Sequence, residues 1–347
     1  MQWIDLRSDT VTQPTAEMRA VMVEAVVGDD VYGEDPTVQR LQAMSAERLG
    51  KEAGLFVPSG TMGNLIGVLA HCGRGDEVIM GSLAHTFLFE AGGVAALGGV
   101  HPHTLPNLPD GTIALEDIRL AVRDANNPHY PTSRLIVLEN THNRCGGVAV
   151  PVEFMLAVKE IADANGLKMH LDGARIFNAE TELGVAAAEL AQPFDSVTFC
   201  LSKGLCAPVG SVLCGSKPFI QQALRLRKML GGGMRQAGIL AAAGIIALEK
   251  MTLRLGEDHR RAAELGDLLA SVDGLRVEKK AHATNMVFVN LDESIQGSAG
   301  EIAGRLKSLG VLASPTGARQ FRLVLHYWIS DADVKATAQA FRQALSV

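Results

Sequence analysis

The sequence has little from which to build a covalent or metal-held scaffold. Its cysteines, Cys72, Cys145, Cys200, Cys206 and Cys214, are five in 347 residues and include no C-x-x-C pair. That excludes a disulfide frame and a thiolate zinc site, and points to reduced thiols of a reducing compartment. The histidines are dispersed. In their one close pair, His101 and His103 flank Pro102, so a loop is expected there, and no metal. Long apolar runs are also lacking: the longest, near Ile239 to Leu248, is too short to span a membrane and contains Gly244. The opening "MQWIDLRSDT" has neither a basic n-region nor an apolar h-region, so a cytoplasmic location is expected. Basic clusters are missing, and a net charge of -6 with scattered Lys and Arg leaves no footprint for nucleic acid or an anionic membrane. No Gly-Lys-Ser/Thr phosphate loop occurs, and "GRGDEV" at 73–78 lacks the third glycine of a dinucleotide fingerprint.

What is present is material for a large core. With 47% hydrophobic and 20% charged positions the chain is globular, and its length favours two domains. Helix-period stretches at 15–26, 37–50, 153–166 and 235–250 alternate with short apolar runs at 77–80, 134–140, 167–172, 196–202 and 211–216. Such alternation predicts an α/β fold with a mostly parallel sheet flanked by helices, and functional groups at the strands' carboxyl ends. Beyond a boundary near 251, "TNMVFVNL", "AGEIAGRLKSLG", "QFRLVLHYWI" and "SDADVKATAQAFRQAL" form a smaller α/β unit, the last helix opened by Ser330 and Asp333 as a capping box. The expected division is therefore 1–250 and 251–347, with 1–14 packing near the small domain and the site.

Three features of the first part belong together. "CLSKGLCAPVGS" sets Lys203 just after an apolar run, where a desolvated amine could form a Schiff base. "LKMHLDGAR" ends a strand at Asp172, whose carboxylate could hold a pyridine nitrogen protonated. "GLFVPSGTMGN" runs from a strand into a helix through Ser59, Gly60 and Thr61, an anion site in outline. Taken singly, each has a plainer explanation: a solvated lysine, a turn aspartate, a helix cap. In chain order, as phosphate cradle, strand-end aspartate and strand-end lysine, they resemble a pyridoxal 5'-phosphate enzyme of the aspartate aminotransferase fold type.

The resemblance is closer than a fold type. "IDLRSDTVTQPT", "GDDVYGEDPTV", "PSGTMGN", "AHTFLFEAGG", "LENTHN", "HLDGARIFNA", "CLSKGL" and "RKMLGGGMRQAG", in this order through nearly the whole chain, resemble the low-specificity L-threonine aldolases. The resemblance implies cleavage of L-threonine and L-allo-threonine to glycine and acetaldehyde, and of other L-β-hydroxy-α-amino acids. β-Elimination or transamination on the same fold, or a noncatalytic small-molecule binder, are the alternatives.

By the same resemblance Lys203 carries the cofactor, Asp172 faces its ring nitrogen, Arg175 lies near its ring hydroxyl, and Gly60 and Thr61 hold its phosphate. Lys228 and Arg235 would reach the phosphate from a neighbouring subunit of a homotetramer, the glycines at 231–233 permitting close approach. His85 would stack on the ring and His142 lie near the substrate side chain, either of them, or a water, taking the β-hydroxyl proton. Ser8 and Arg322 match carboxylate-binding positions, with Arg319 a second candidate. The chain departs from the family pattern at Cys206, where the family often has glycine, and at 143–147; both are expected to alter pocket shape.

Overall fold

The computed structural model describes residues 3–346. Its strands are β1 (Ile4–Asp5), β2 (Ala53–Val57), β3 (Asp76–Gly81), β4 (His101–Leu105), β5 (Thr132–Glu139), β6 (Lys168–Asp172), β7 (Ser196–Cys200), β8 (Ser211–Gly215), β9 (Leu275–Val277), β10 (Met286–Leu291), β11 (Val311–Leu312), β12 (Ser314–Gly317) and β13 (Gln320–Val324). β2 to β8 form one sheet in the order β2-β8-β7-β6-β5-β3-β4. Its pairings are parallel from β4 through β7, and only β8 runs antiparallel to its neighbours. β7 and β8 are buried along their whole length, as helices on both faces require.

β4 corrects one expectation. His101, Pro102 and His103 lie in a strand, paired with Glu77, Val78 and Ile79 of β3. β4 is the sheet's edge, where proline's missing N–H breaks no ladder.

The C-terminal strands form a separate antiparallel sheet, β12-β13-β10-β9, against the helices Leu255–Ala270, Ala299–Ser308 and Asp331–Leu345. Both Ser298 with Glu301 and Ser330 with Asp333 close capping boxes. An apolar cluster around Leu265, Val289, Phe321 and Phe341 fills this unit, and a larger cluster around Phe56, Met169, Phe199 and Val212 fills the first.

The amino-terminal segment touches both. β1 pairs in parallel with β11, and Leu6 is buried in the smaller cluster. Six residues later the chain reaches the loop that follows β7: Thr12 Oγ1 donates to the Lys203 carbonyl at 2.8 Å.

Candidate active site

The helix Gly60–Leu69 follows β2 and lies against β6 and β7 on a face of glycines. A Cβ at Gly60 would come within 2.8 Å of Cys200 Sγ, one at Gly63 within 2.6 Å of Thr198 Cγ2, and one at Gly67 within 2.4 Å of His170 Cε1. Residues spaced three and four apart share a helix face, so this sequence lets backbone approach sheet with no side chain between. At the helix start Ser59 Oγ accepts from Met62 N at 3.2 Å, and the Ser59 carbonyl accepts from Gly63 N. The N–H groups of Gly60 and Thr61 have no hydrogen-bond partner among the described residues. They border a cavity of about 270 Å³ and supply the positive end of the helix dipole.

Lys203, Asp172 and His85 border the same cavity, with Glu90, Cys200 and Ser202. Asp172 ends β6 and Cys200 ends the adjacent parallel β7, so both chains release their next residues at one sheet edge. Lys203 follows in the loop to β8, its carbonyl held by Thr12 and by Cys206 N. Asp172 is buried and accepts from Asn64 Nδ2 at 2.9 Å and Ala174 N at 3.1 Å. Burial and the nearby Glu139 push its carboxyl up, while Lys203 and His85 pull it down. His85 Nδ1 lies 2.9 Å from Glu90 Oε1, and this hydrogen bond to Glu90 raises the imidazole above its usual range against the opposing effect of burial. His85, Glu90 and Asp172 are the one group among the described residues that could share a metal ion. Asn64 Nδ2, however, donates to both carboxylates; a cation would have to displace that donor.

A second cluster flanks this one. Arg175 follows Asp172 and makes a buried fork to Asp9, Nε to Oδ2 at 2.7 Å and Nη2 to Oδ1 at 2.6 Å. Arg322, on β13, donates to Asn143 Oδ1 at 2.7 Å, while its Nε is buried without a partner. Burial, then the charges of Arg175 and Arg144, lower the Arg322 guanidinium, with Asp9 opposing. A cation with a free donor beside other cations suits a carboxylate. Ser8 caps a short turn, Oγ accepting from Thr10 N. Arg319 points its guanidinium at the carbonyls of Leu291, Asp292, Ile295 and Gly297, which leaves Arg322 the better candidate.

His142 is 2% exposed and borders a different, small cavity with Asn107, Gly111 and Val150. Its Nδ1 is buried without a partner. The two histidine segments are tied together by Glu139, which accepts from His85 N at 2.7 Å and from Asn143 N at 2.9 Å. Lys228 and Arg235 are exposed and border none of this; Arg235 pairs with Asp29 at 2.9 Å. The glycine run nevertheless lies close by. Gly232 is buried, and a Cβ there would come within 2.2 Å of Met62 Sδ, on the helix of the phosphate candidates.

Cys206 corrects the expected pocket effect. It is buried away from the cavity lining, its Sγ toward the Gly204 carbonyl, with a φ of 64°. Of the residues that sequence reasoning left without a role, Asp9, Asn64, Glu90 and Glu139 stand inside the quoted blocks "RSDT", "GTMGN", "FLFEAGG" and "LENT". Nothing in residue type alone distinguished them from ordinary surface polar groups.

Comparison with known proteins places the chain in a family. Residues 5–293 match the beta-eliminating lyase family. The chain is 48% identical over 347 residues to low-specificity L-threonine aldolase 1 of Arabidopsis thaliana, covering 99% of this chain and 97% of that one. It is 45% identical over 345 residues to the low specificity L-threonine aldolase of Escherichia coli (strain K12), covering 99% of each. The chain belongs to the low-specificity L-threonine aldolase family. A threonine aldolase of Leishmania major shares the fold, with a TM-score of 0.84 and 19% identity over 99% of both chains. So does SPT, solved with PLP, with a TM-score of 0.77 and 18% identity over 99% of this chain and 87% of that one.

The residues of this threonine aldolase family member fit a phosphorylated pyridine aldehyde. Two free N–H groups at a helix start suit the phosphate, a buried carboxylate suits a protonated ring nitrogen, and an imidazole stands on the same cavity. The chain supplies an amine there in Lys203.

Proposed function

We propose that this chain is a pyridoxal-phosphate-dependent aldolase that cleaves L-threonine and L-allo-threonine, and other L-β-hydroxy-α-amino acids, to glycine and an aldehyde. The observation that carries this reading is the meeting of Lys203, Asp172, His85 and the start of the helix Gly60–Leu69 around one cavity. The family relationship selects the reaction.

When bound, the cofactor supplies an electron sink for the pair released as the Cα–Cβ bond breaks. Lys203 would hold it through its amine. Asp172 holds the ring nitrogen protonated; a cationic ring against it favours the carboxylate that burial alone disfavours. Gly60 and Thr61 bind the phosphate through their N–H groups. Arg322, assisted by Ser8, would bind the substrate carboxylate and so fix the substrate's orientation in the site. Arg175, held by its fork to Asp9, would serve the ring hydroxyl.

Of the two imidazoles, His85 is the one that borders the cavity. With Nδ1 on Glu90, its Nε2 is the atom left to accept the β-hydroxyl proton, directly or through water. His142 lines the neighbouring small cavity, and its role near the substrate side chain rests on the family relationship and on its place in the chain beside Asn143, which binds Glu139 and Arg322.

The same reading divides the chain at about residue 251, with 1–14 bridging both parts. It makes the protein a cytoplasmic homotetramer whose Lys228 and Arg235 serve a neighbour's phosphate. Borohydride reduction followed by peptide mapping is expected to place reduced pyridoxyl phosphate on Lys203, and threonine is expected to yield trapped acetaldehyde and glycine in equal amounts. Label on another lysine overturns the assignment of Lys203. A keto acid in place of aldehyde would make the protein an eliminating enzyme where ammonia is released with it, or an amino-transferring one where the amino group passes to an added keto acid instead.

A further inference from the structure

The carboxylates of the site are connected to the protein surface by an unbroken line of hydrogen bonds that the reaction itself does not require. Asn64 Nδ2 lies 2.8 Å from Glu90 Oε1 and 2.9 Å from Asp172 Oδ2. On the other side, Asn64 Oδ1 lies 3.3 Å from His170 Nε2. His170 Nδ1 is 2.8 Å from Ser196 Oγ, and Ser196 Oγ is 2.9 Å from His71 Nε2. Asn64, His170 and Ser196 are buried, and His71 is partly exposed. His71 also stacks on Phe219 and borders a pocket of about 460 Å³ at Lys168 and Asp195.

We propose that Asn64 is the positioning residue for both carboxylates, and that the line His170–Ser196–His71 fixes which side of its amide they meet. This rests on reading the cavity as the pyridoxal-phosphate site.

The direction of each bond follows from counting donors. Two carboxylate oxygens can be satisfied together only by the two hydrogens of the amide nitrogen, so Asn64 is spent as a donor. Its oxygen then takes a hydrogen from His170 Nε2. A neutral imidazole has one N–H, which leaves His170 Nδ1 as an acceptor for the Ser196 hydroxyl, and Ser196 Oγ as an acceptor for His71 Nε2–H. Burial keeps both rings neutral at ordinary pH, lowering His170 to about 3 and His71 to about 4. Reversing Asn64 would set its oxygen against two carboxylates and reverse every later bond.

The consequence concerns cofactor geometry. Asn64 stands one helical turn beyond Gly60 and Thr61, so phosphate contact, ring-nitrogen carboxylate and, through Glu90, the imidazole on the ring are all referred to one short helix. That is the arrangement a site needs if three contacts on one rigid ligand are to stay in register.

The decisive comparison is between His170→Gln, which keeps an N–H donor for Asn64, and His170→Phe, which keeps ring volume without one. Release of cofactor from the holoenzyme, followed by its absorbance after dilution, is expected to quicken about tenfold or more in His170→Phe, as for a buried acceptor left unpaired. In His170→Gln it is expected to stay within about threefold of the unaltered enzyme, the donor being restored. Nitrogen-15 spectra of histidine-labelled unaltered apoprotein are expected to show His170 and His71 each protonated on Nε2. Equal release rates in the two variants, or a proton on His170 Nδ1, would overturn the inference. If His170→Phe does not fold, the spectra decide. Failure of the unaltered protein to hold pyridoxal phosphate would sink the functional reading, while the ring protonation pattern would still test the line of bonds.

Discussion

Cys206 sits where the backbone favours glycine. Its φ of 64° lies in the left-handed region, and its N–H closes the turn onto the Lys203 carbonyl. A side chain there costs about 1–2 kcal/mol. Replacing Cys206 with alanine removes a buried sulfur and keeps the strain; replacing it with glycine removes the strain as well. Cys206→Gly is therefore expected to be more stable than Cys206→Ala by about 1 kcal/mol in urea denaturation of the apoprotein, even though it deletes more side chain. An alanine variant as stable as the glycine one would mean that the turn stores no such strain. The residue scale was partly legible in the sequence. Lys203 and Asp172 are legible in combination with the segment 59–61 and the surrounding family blocks, since taken singly each reads as a solvated lysine or a turn aspartate. Asn64, Glu90 and Asp9 are not, because their importance lies in burial, and a polar residue becomes buried only through contacts made across the fold. The difference from glycine at 206 is legible in the sequence, but its backbone strain is not, since φ is invisible in a side-chain inventory.

Among elements, the amino-terminal segment is the least independent. β1 is two residues long and the turn at Asp9–Val11 is three, too little to hold itself in place. Its anchor is the ion pair of Asp9 with Arg175, both nearly inaccessible to solvent. Burial opposes the Asp9 charge, but Arg175 outweighs burial and holds the carboxyl far below its usual range. A depressed carboxylate contributes stability above its unfolded value, about 4, and that contribution is lost as pH falls below it. Asp9→Asn leaves the Arg175 charge buried without its counter-charge, and is expected to lower stability at neutral pH by about 3–5 kcal/mol. Between about pH 5 and pH 2 it should lose less further stability than the unaltered protein, since it has no carboxylate at 9 left to titrate. Parallel acid-dependent denaturation curves for the two proteins would show that Asp9 is not depressed. The large-sheet strands were legible because burial on both faces makes them short continuous apolar runs. β4 was not: Pro102 breaks that pattern, and only an edge position tolerates it.

At the scale of the whole molecule, two apolar clusters and the segment joining them form one side of a site whose phosphate end has backbone N–H groups and the hydroxyls of Thr61 and Ser202 from this chain. Lys203 is the one lysine or arginine among the described residues that line this cavity, while Lys228 and Arg235 stand exposed on either side, in sequence, of the glycine run that packs on Met62. Exposed cations in one chain look like any solvated surface charge, so their expected role came from the family resemblance alone. If it is right, the unit of activity is a pair of subunits. Lys203→Ala and Arg235→Ala should each be inactive or nearly so, and each should fold, Lys203 being at a loop and Arg235 at the surface. After subunit exchange, a mixed pair holds one site with both defects and one with neither. Random pairing of equal amounts then gives activity near one quarter of the unaltered enzyme, about one intact site in four. The exchange is checked by native mass spectrometry, and the activity by glycine release from threonine. Mixed pairs that form and remain inactive would assign Arg235 to its own chain, where its bond to Asp29 already gives it a structural role.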